Sequence, residues 1–382
     1  MSESKLDLPR IKDVREDNGL LYFTATSCNV SIINSIRRTI LSDIPVICFK
    51  TEPHNEVTEK LESTIIYENT TTLTNEIIKQ RLGCIPVYLK VTDNALVENL
   101  VVELDVINKT ENILYVTSED FKVKEVATNN YLKETAVKKI FPPNKLTNDF
   151  ILFNRLKPKI SKHQDGEKLK LHAKLHVNTS KENSQCNVCS TIGYNNTIDN
   201  VKSNEAWMIY QDKLKAEGKR GKDITNIEKN WFNHNAKRYF VENSFDFRLE
   251  TIGIYSNQEL IKMACNILTN RLEDLKKLIQ ENELEIQKDT INTKYSFDIV
   301  LPNISYTIGK MLEYLLFDRY FEKKNTFSYV GFIKKHPHDD FSIIRVVFKN
   351  GDESNIDNIK TLLITCINYS QEIYKHIYDS FI

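Results

Sequence analysis

Two stretches at opposite ends of the chain carry the same succession of apolar patterns, and that repetition narrows the available folds more than any other feature. The second stretch is contiguous. Tyr295–Leu301 alternates apolar and polar residues, the period of a half-buried strand. Ile304, Ile308, Met311, Leu312 and Leu315 then fall on one helical face. Phe327–Ile333 and Phe341–Phe348 read as strands separated by His336-Pro337-His338-Asp339-Asp340, and a long amphipathic helix closes the chain. The first stretch opens in the same way, with a strand near Leu20–Ala25, a helix from about Val30 to Ser42 and a strand after Pro45. Its last strand and long helix come only at Phe245–Ile252 and Ser256–Ile279. The expected fold is α+β: two β-α-β-β-α modules paired within one chain, the first interrupted by a mostly β inserted domain. The first module takes 1–52 and 244–281, the insertion 53–243, a polar linker 282–294 and the second module 295–382.

The two long helices supply the reason to pair. Ile356, Ile359, Leu363, Cys366, Ile373 and Ile377 follow a three-four alternation broken only by Ser370, a seam that wants another helix. The matching helix opens with Ser256-Asn257-Gln258-Glu259, a capping-box pattern, and puts Leu260, Ala264, Ile267, Leu268, Leu272, Leu275 and Ile279 on one side. Ile33, Ile36, Ile40, Leu268, Leu272, Leu275, Gly309, Leu312, Ile359, Leu363 and Ile373 are the residues expected at the junction. Gly309 sits inside a helical pattern, where it costs about 1 kcal/mol against alanine, and is read as a point of close approach by another backbone. Joining two such modules in one polypeptide raises their effective concentration to about the millimolar range without any new contact.

Composition excludes several functions. Lys and Arg together number 52, as do Asp and Glu, so the formal charge is +0 and direct nucleic-acid contact is expected to be slight. No run of about 18 apolar residues exists, so no membrane span is expected. The opening MSESKLDLPR has no signal-peptide core. Seven scattered cysteines read as reduced thiols of an intracellular, reducing compartment. With only ten glycines there is no phosphate-cradling loop, and no Asp-x-Asp-x-Asp metal triad is present.

One constellation invites zinc: His172, His176, Cys186 and Cys189. However, Leu169, Leu171, Ala173, Leu175 and Val177 alternate with Lys170, His172, Lys174 and His176, which makes the segment a strand. Two histidines four residues apart on a strand are about 13 Å apart and cannot share one tetrahedral ion. No metal and no cofactor are expected.

Within Asn29–Pro45, Ile33, Ile36, Ile40 and Ile44 form one helical stripe, Asn29 or Ser31 can cap it, and Pro45 ends it. Arg37 and Arg38 lie off the stripe, either as solvated charges or as guanidinium forks for a partner's carboxylates or carbonyls. Further on, Asn75 or Thr74 starts a short helix with Ile77, Ile78 and Leu82 expected inside, Gly83 expected as its left-handed end, and Pro86 opening a strand to Val91.

The run Asn34-Ser35-Ile36-Arg37-Arg38-Thr39-Ile40-Leu41-Ser42-Asp43-Ile44-Pro45 resembles the first-helix motif of the alpha-type subunits of cellular RNA polymerases. Glu68–Val87, with its asparagine-rich strand end, Arg81-Leu82-Gly83 and Ile85-Pro86, is similar to the segment that follows in that family. Residues 295–382 resemble the small subunit that partners the alpha-type one in eukaryotes and archaea, through Ile304–Leu312, Tyr329-Val330-Gly331-Phe332, His336-Pro337 and Ile344-Arg345-Val346. Where that family carries an acidic pair and a histidine, this chain has Asn303-Ile304-Ser305-Tyr306. Some relatives hold a zinc or iron–sulfur cluster on four cysteines after the Arg-Leu-Gly-x-Ile-Pro segment, where this chain has only Cys84.

The resemblance implies a non-catalytic assembly subunit of a DNA-dependent RNA polymerase, fused from third-subunit-like and eleventh-subunit-like halves, closest to those of large DNA viruses. It implies docking to the two large catalytic subunits and a small accessory subunit, with magnesium held only in the large subunits. Asn34, Arg37, Arg38, Glu76 and Arg81 are the implied docking residues. For a virus the location is host cytoplasm and virion. A zinc-dependent nucleic-acid-binding regulator, or a homodimeric scaffold unrelated to transcription, are the competing readings.

Overall fold

A computed structural model of the chain describes residues 8–52, 63–93, 97, 99–161, 165–289 and 294–381. In chain order the elements are β1 (Arg10–Asp17), β2 (Leu20–Thr26), α1 (Val30–Ser42), β3 (Pro45–Phe49), β4 (Ile65–Asn69), α2 (Asn75–Gly83), β5 (Leu100–Ile107), β6 (Leu114–Thr117), β7 (Lys122–Glu125) and α3 (Glu134–Ile140). They continue through β8 (Leu152–Leu156), β9 (Lys168–Thr179), β10 (Cys189–Ile198), α4 (Asn200–Ala216), α5 (Lys222–His234), β11 (Phe240–Thr251) and α6 (Asn257–Gln280). The last are β12 (Ile286–Asp289), β13 (Ser296–Pro302), α7 (Tyr306–Leu316), β14 (Phe327–Ile333), β15 (Phe341–Phe348) and α8 (Ile356–Asp379).

Two units emerge. One comprises Met1–Ile40, Thr191–Glu250 and Asn257–Ile382, the other Leu41–Ser190 with Thr251–Ser256. The first unit holds two four-stranded sheets of the same design, β1-β2-β11-β10 and β12-β13-β15-β14. In each, the second strand leads into a helix (α1 or α7) and the strand beside it leads into a long helix (α6 or α8). In the first sheet Leu21, Phe23 and Ala25 point inward and face Leu249, Phe247 and Phe245 in register. The Phe23 and Phe247 rings stack at 4.7 Å. In the second, Phe297, Ile299 and Leu301 are buried, while on the other face Arg345 grips Asp298 with two hydrogen bonds of 2.6 Å.

The α6 and α8 helices pack antiparallel across the two copies. Lys262 lies over the Tyr378 ring at 5.4 Å, the Gln371 side-chain amide donates to Glu273 at 2.9 Å, and Lys360 reaches Asn282 at 2.6 Å. Leu260, Leu268, Leu272 and Leu275 of α6 and Ile359, Leu363, Ile373 and Ile377 of α8 are all buried. Burial of each such side chain stabilises the fold by about 1.5–3 kcal/mol before entropy. Ser370, the polar break in the seam, is buried and satisfied: its hydroxyl donates to the Cys366 carbonyl at 2.8 Å.

Five sequence expectations differ from the structure. The strand after Pro45 does not complete the first copy's sheet, because β3 pairs with β9. Its place is taken by β10, the counterpart of β14. The linker contributes β12, which pairs with β13 and needs no apolar pattern because it is an edge strand. Pro86–Val91 forms no strand among its described residues; Tyr88 N–H instead donates to the Ile140 carbonyl and Tyr88 hydroxyl to the Ile252 carbonyl. Within α2, Ile78 and Leu82 are buried but Ile77 is 42% exposed. Gly83 is an ordinary helical residue followed by Cys84 in right-handed geometry, and its missing Cβ leaves room for the Gln185 side chain.

The second unit is built on β3-β9-β5-β7, with β4 also on β9 and β6-β8 as a separate pair. Its core joins Phe49, Phe121, Phe141 and Phe153 to the inward residues of β9, Leu169, Leu171, Ala173 and Leu175. Within the first unit, helices α4 and α5 meet through Trp207 and Trp231, whose rings lie 5.6 Å apart, whereas Met208 and Tyr210 stay exposed.

Candidate subunit-docking site

Helix α1 carries three of the expected docking residues. Asn29 Oδ1 accepts from the Ser31 N–H at 2.8 Å, satisfying an orphan donor at the helix start. Ile33, Ile36 and Ile40 turn inward and leave Asn34, Arg37 and Arg38 on the other side. Arg37 Nε donates to Asn34 Oδ1 at 3.0 Å, one turn back on the same helix. Arg38 Nε donates to the Thr307 hydroxyl at 2.9 Å. Thr307 lies in the first turn of α7, so Arg38 ties the first copy to the second. A second tie, Ser35 Oγ to Tyr374 Oη at 2.7 Å, is buried. A third is the edge-on packing of Phe23 against Phe381 at 5.0 Å.

Gly309 is placed differently from expectation. The nearest neighbours of a Cβ there are side-chain and not backbone atoms: it would overlap the Phe332 ring of the second copy's own sheet. Leu312, Leu268, Leu272, Leu275, Ile359, Leu363 and Ile373 are all buried where the two copies meet or within their cores.

Beside Asn34 lies an open groove of about 540 Å³, bordered by Val30, Asn34, Lys310, Tyr314, Phe317 and Val330. Val30 and Phe317 are 44% and 37% exposed. A Lys310–Glu313 ion pair of 2.6 Å borders this apolar floor. Partial burial, helped by Asp318, pushes the Tyr314 hydroxyl up to about 12, so it remains a neutral donor. Sequence reading passes over Phe317, because α7 runs into a π-helical turn over Phe317–Lys323 that breaks the regular period. That turn buries Tyr320 and leaves Phe317 stacked on Phe321 at 4.6 Å.

Glu76 and Arg81 lie on α2 in the other unit. Glu76 occupies the first turn, where the helix dipole favours an acid. Arg81 Nε donates to the Phe153 carbonyl at 2.7 Å and Nη2 to the Leu152 carbonyl at 3.1 Å, fastening α2 to β8.

The histidines of β9 behave as strand geometry dictates. His172 lies 3.7 Å from Glu103, with desolvation lowering its basicity, while His176 stands opposite Cys48. Among the described residues no three His, Cys, Asp or Glu side chains are arranged to hold a metal ion, and no helix is long and apolar enough to cross a membrane.

A conjugation stage-specific protein of Tetrahymena thermophila is 24% identical over 305 residues, spanning 68% of this chain and 91% of the relative. The profile of the RNA polymerase Rpb3/Rpb11 dimerisation domain matches residues 22–272, from β2 into α6. That match takes in the first copy and its insertion, well over half of the sequence, and the chain therefore belongs to the Rpb3/Rpb11 dimerisation-domain family of RNA polymerases.

Proposed function

We propose that the chain is a non-catalytic assembly subunit of a DNA-dependent RNA polymerase in which both halves of the usual subunit pair are fused head to tail. Family membership implies partnership with other polymerase subunits. The observation that carries the finer reading is the second sheet-and-helix copy, which supplies in cis the partner for α6. The two large catalytic subunits are the proposed ligands of the polar side of α1 and its adjoining groove, with a small accessory subunit completing the assembly. Kinship with the fused subunits of large DNA viruses, a reducing intracellular location and the absence of a resident cofactor belong to the same proposal.

The test is affinity purification of the tagged chain from its own cell, which should bring down two large subunits. The double variant Arg37→Ala/Arg38→Ala should lower their retention by about 2–5 kcal/mol, the cost of leaving interface partners unpaired. Its melting curve should move less, since the part-buried, charge-assisted hydrogen bond from Arg38 to Thr307 contributes about 1.5–3 kcal/mol at most. Full recovery of the large subunits by the double variant would remove both arginines from the docking surface. Recovery of no polymerase subunit by the wild type would sink the assignment.

A further inference from the structure

The inserted unit contains a thiol pair that the assembly role does not use. Cys48 lies on β3 and Cys186 in the turn that precedes β10, 138 residues apart, yet their sulfurs are only 2.7 Å from each other. Both residues are buried, and both border a cavity of about 490 Å³ that opens to the surface. His176 faces Cys48 across the β3–β9 ladder, and its Nε2 is buried with no hydrogen-bond partner among the described residues. Two further thiols, Cys84 and Cys189, border the same cavity. Two thiolates on one tetrahedral zinc ion would stand about 3.8 Å apart, as Zn–S bonds of about 2.3 Å require. The observed separation is well inside that, so the two sulfurs are adjacent with no room for an ion between them.

We infer that Cys48 and Cys186 form a dithiol oxidation site that takes a small peroxide and closes to a reversible disulfide. The inference is independent of the polymerase reading.

The two sulfurs have unequal roles. The hydrogen bond from Cys48 draws Cys186 below the ordinary thiol range; burial opposes this, and nearby His176 adds to the lowering. Either sulfur can donate in this contact; with the proton on Cys48, that thiol is pushed up in turn. In that arrangement Cys186 is the thiolate nucleophile. It attacks one peroxide oxygen; the O–O bond breaks, hydroxide leaves and is protonated to water, and Cys186 becomes a sulfenic acid. Cys48 gives up its proton and attacks the Cys186 sulfur; the S–O bond breaks and the departing hydroxide takes that proton. Two thiols and one hydrogen peroxide thus become one disulfide and two waters. Chain connectivity gives the bond its meaning: it would join β3, just after α1, to the segment that runs directly into β10.

The experiment treats the full-length protein with micromolar hydrogen peroxide, blocks remaining thiols under denaturing conditions and maps the peptides. The expected result is loss of two of the seven free thiols, a single Cys48–Cys186 cross-linked peptide, and full recovery of seven thiols with dithiothreitol. Cys48→Ser should leave a sulfenic acid on Cys186 that dimedone traps, and Cys189→Ser should still form the bridge. Seven unreacted thiols after treatment of folded protein, or a cross-link joining Cys186 to Cys84 or Cys189 instead, would overturn the inference. The wild-type peptide map decides the matter even if the Cys48→Ser variant does not fold.

Discussion

The two sheet-and-helix copies share one design but differ in how the chain delivers it. The second is contiguous from β13 to α8. The first begins at β2, leaves after α1, and returns to its sheet only at β10 and β11. They also differ at matching positions: the fourth residue of α1 is Ile33, and the fourth of α7 is Gly309. Ile33 is buried as a large side chain, while Gly309 yields its space to the Phe332 ring. Topology is therefore kept while packing is redistributed between helix and strand.

The largest expected effect tests whether the seam belongs to both copies. Leu363→Asp on α8 and Leu272→Asp on α6 each bury an unpaired carboxylate in the shared core. Each should cost about 3–5 kcal/mol and give insoluble or unfolded protein. If Leu272→Asp stays soluble with an unchanged melting curve, the seam is private to the second copy and the pairing is wrong.

Gly309→Ala should cost about 1–3 kcal/mol, since overpacking against Phe332 outweighs the gain in helix propensity. The same change in a Phe332→Leu background should be better tolerated than in the wild type. Equal losses in both backgrounds would mean that Gly309 is not there to accommodate the ring.

The smallest effect concerns the buried Ser35–Tyr374 contact. Ser35→Ala or Tyr374→Phe alone should each cost about 0.5–1.5 kcal/mol, the net contribution of the shared hydrogen bond. Because Ser35 can also donate to the Ile32 carbonyl, Tyr374→Phe should be the milder change. The double variant should cost less than the sum of the two; strict additivity in thermal melts would show that the hydroxyls do not depend on each other.

Legibility followed burial. β2, β13 and β15 each hold a repeated inward row, and α6 and α8 hold long apolar stripes, so their place and pairing could be read from residues alone. β10 has a single buried residue, Cys189, and its Asn195-Asn196-Thr197 end looks like loop. It is a strand because β11 offers it an edge, which no local pattern records. β3 misled for the opposite reason: Val46, Ile47, Cys48 and Phe49 are all buried, and a continuous apolar run says that a strand is central without saying in which sheet. Of the proposed docking residues, Asn34, Arg37 and Arg38 could be placed by helical period, but the Arg38–Thr307 bond spans 269 positions and could not. Cys48 and Cys186 were legible only as reduced thiols, and their contact is likewise a product of the fold.

The interrupted sheet also sets a timetable for synthesis. On the ribosome, β1, β2 and α1 emerge well before the strands that complete their sheet, whereas Leu41–Ser190 is a nearly self-sufficient stretch. The insertion should therefore close while the first copy still waits, and the first copy should in turn be complete before its partner helix α8 leaves the exit tunnel. A ribosome-arrested chain ending shortly after β11 would then show a protease-resistant insertion with α1 still accessible to cleavage. Resistance of α1 at that length would mean that the first copy does not wait for β10 and β11.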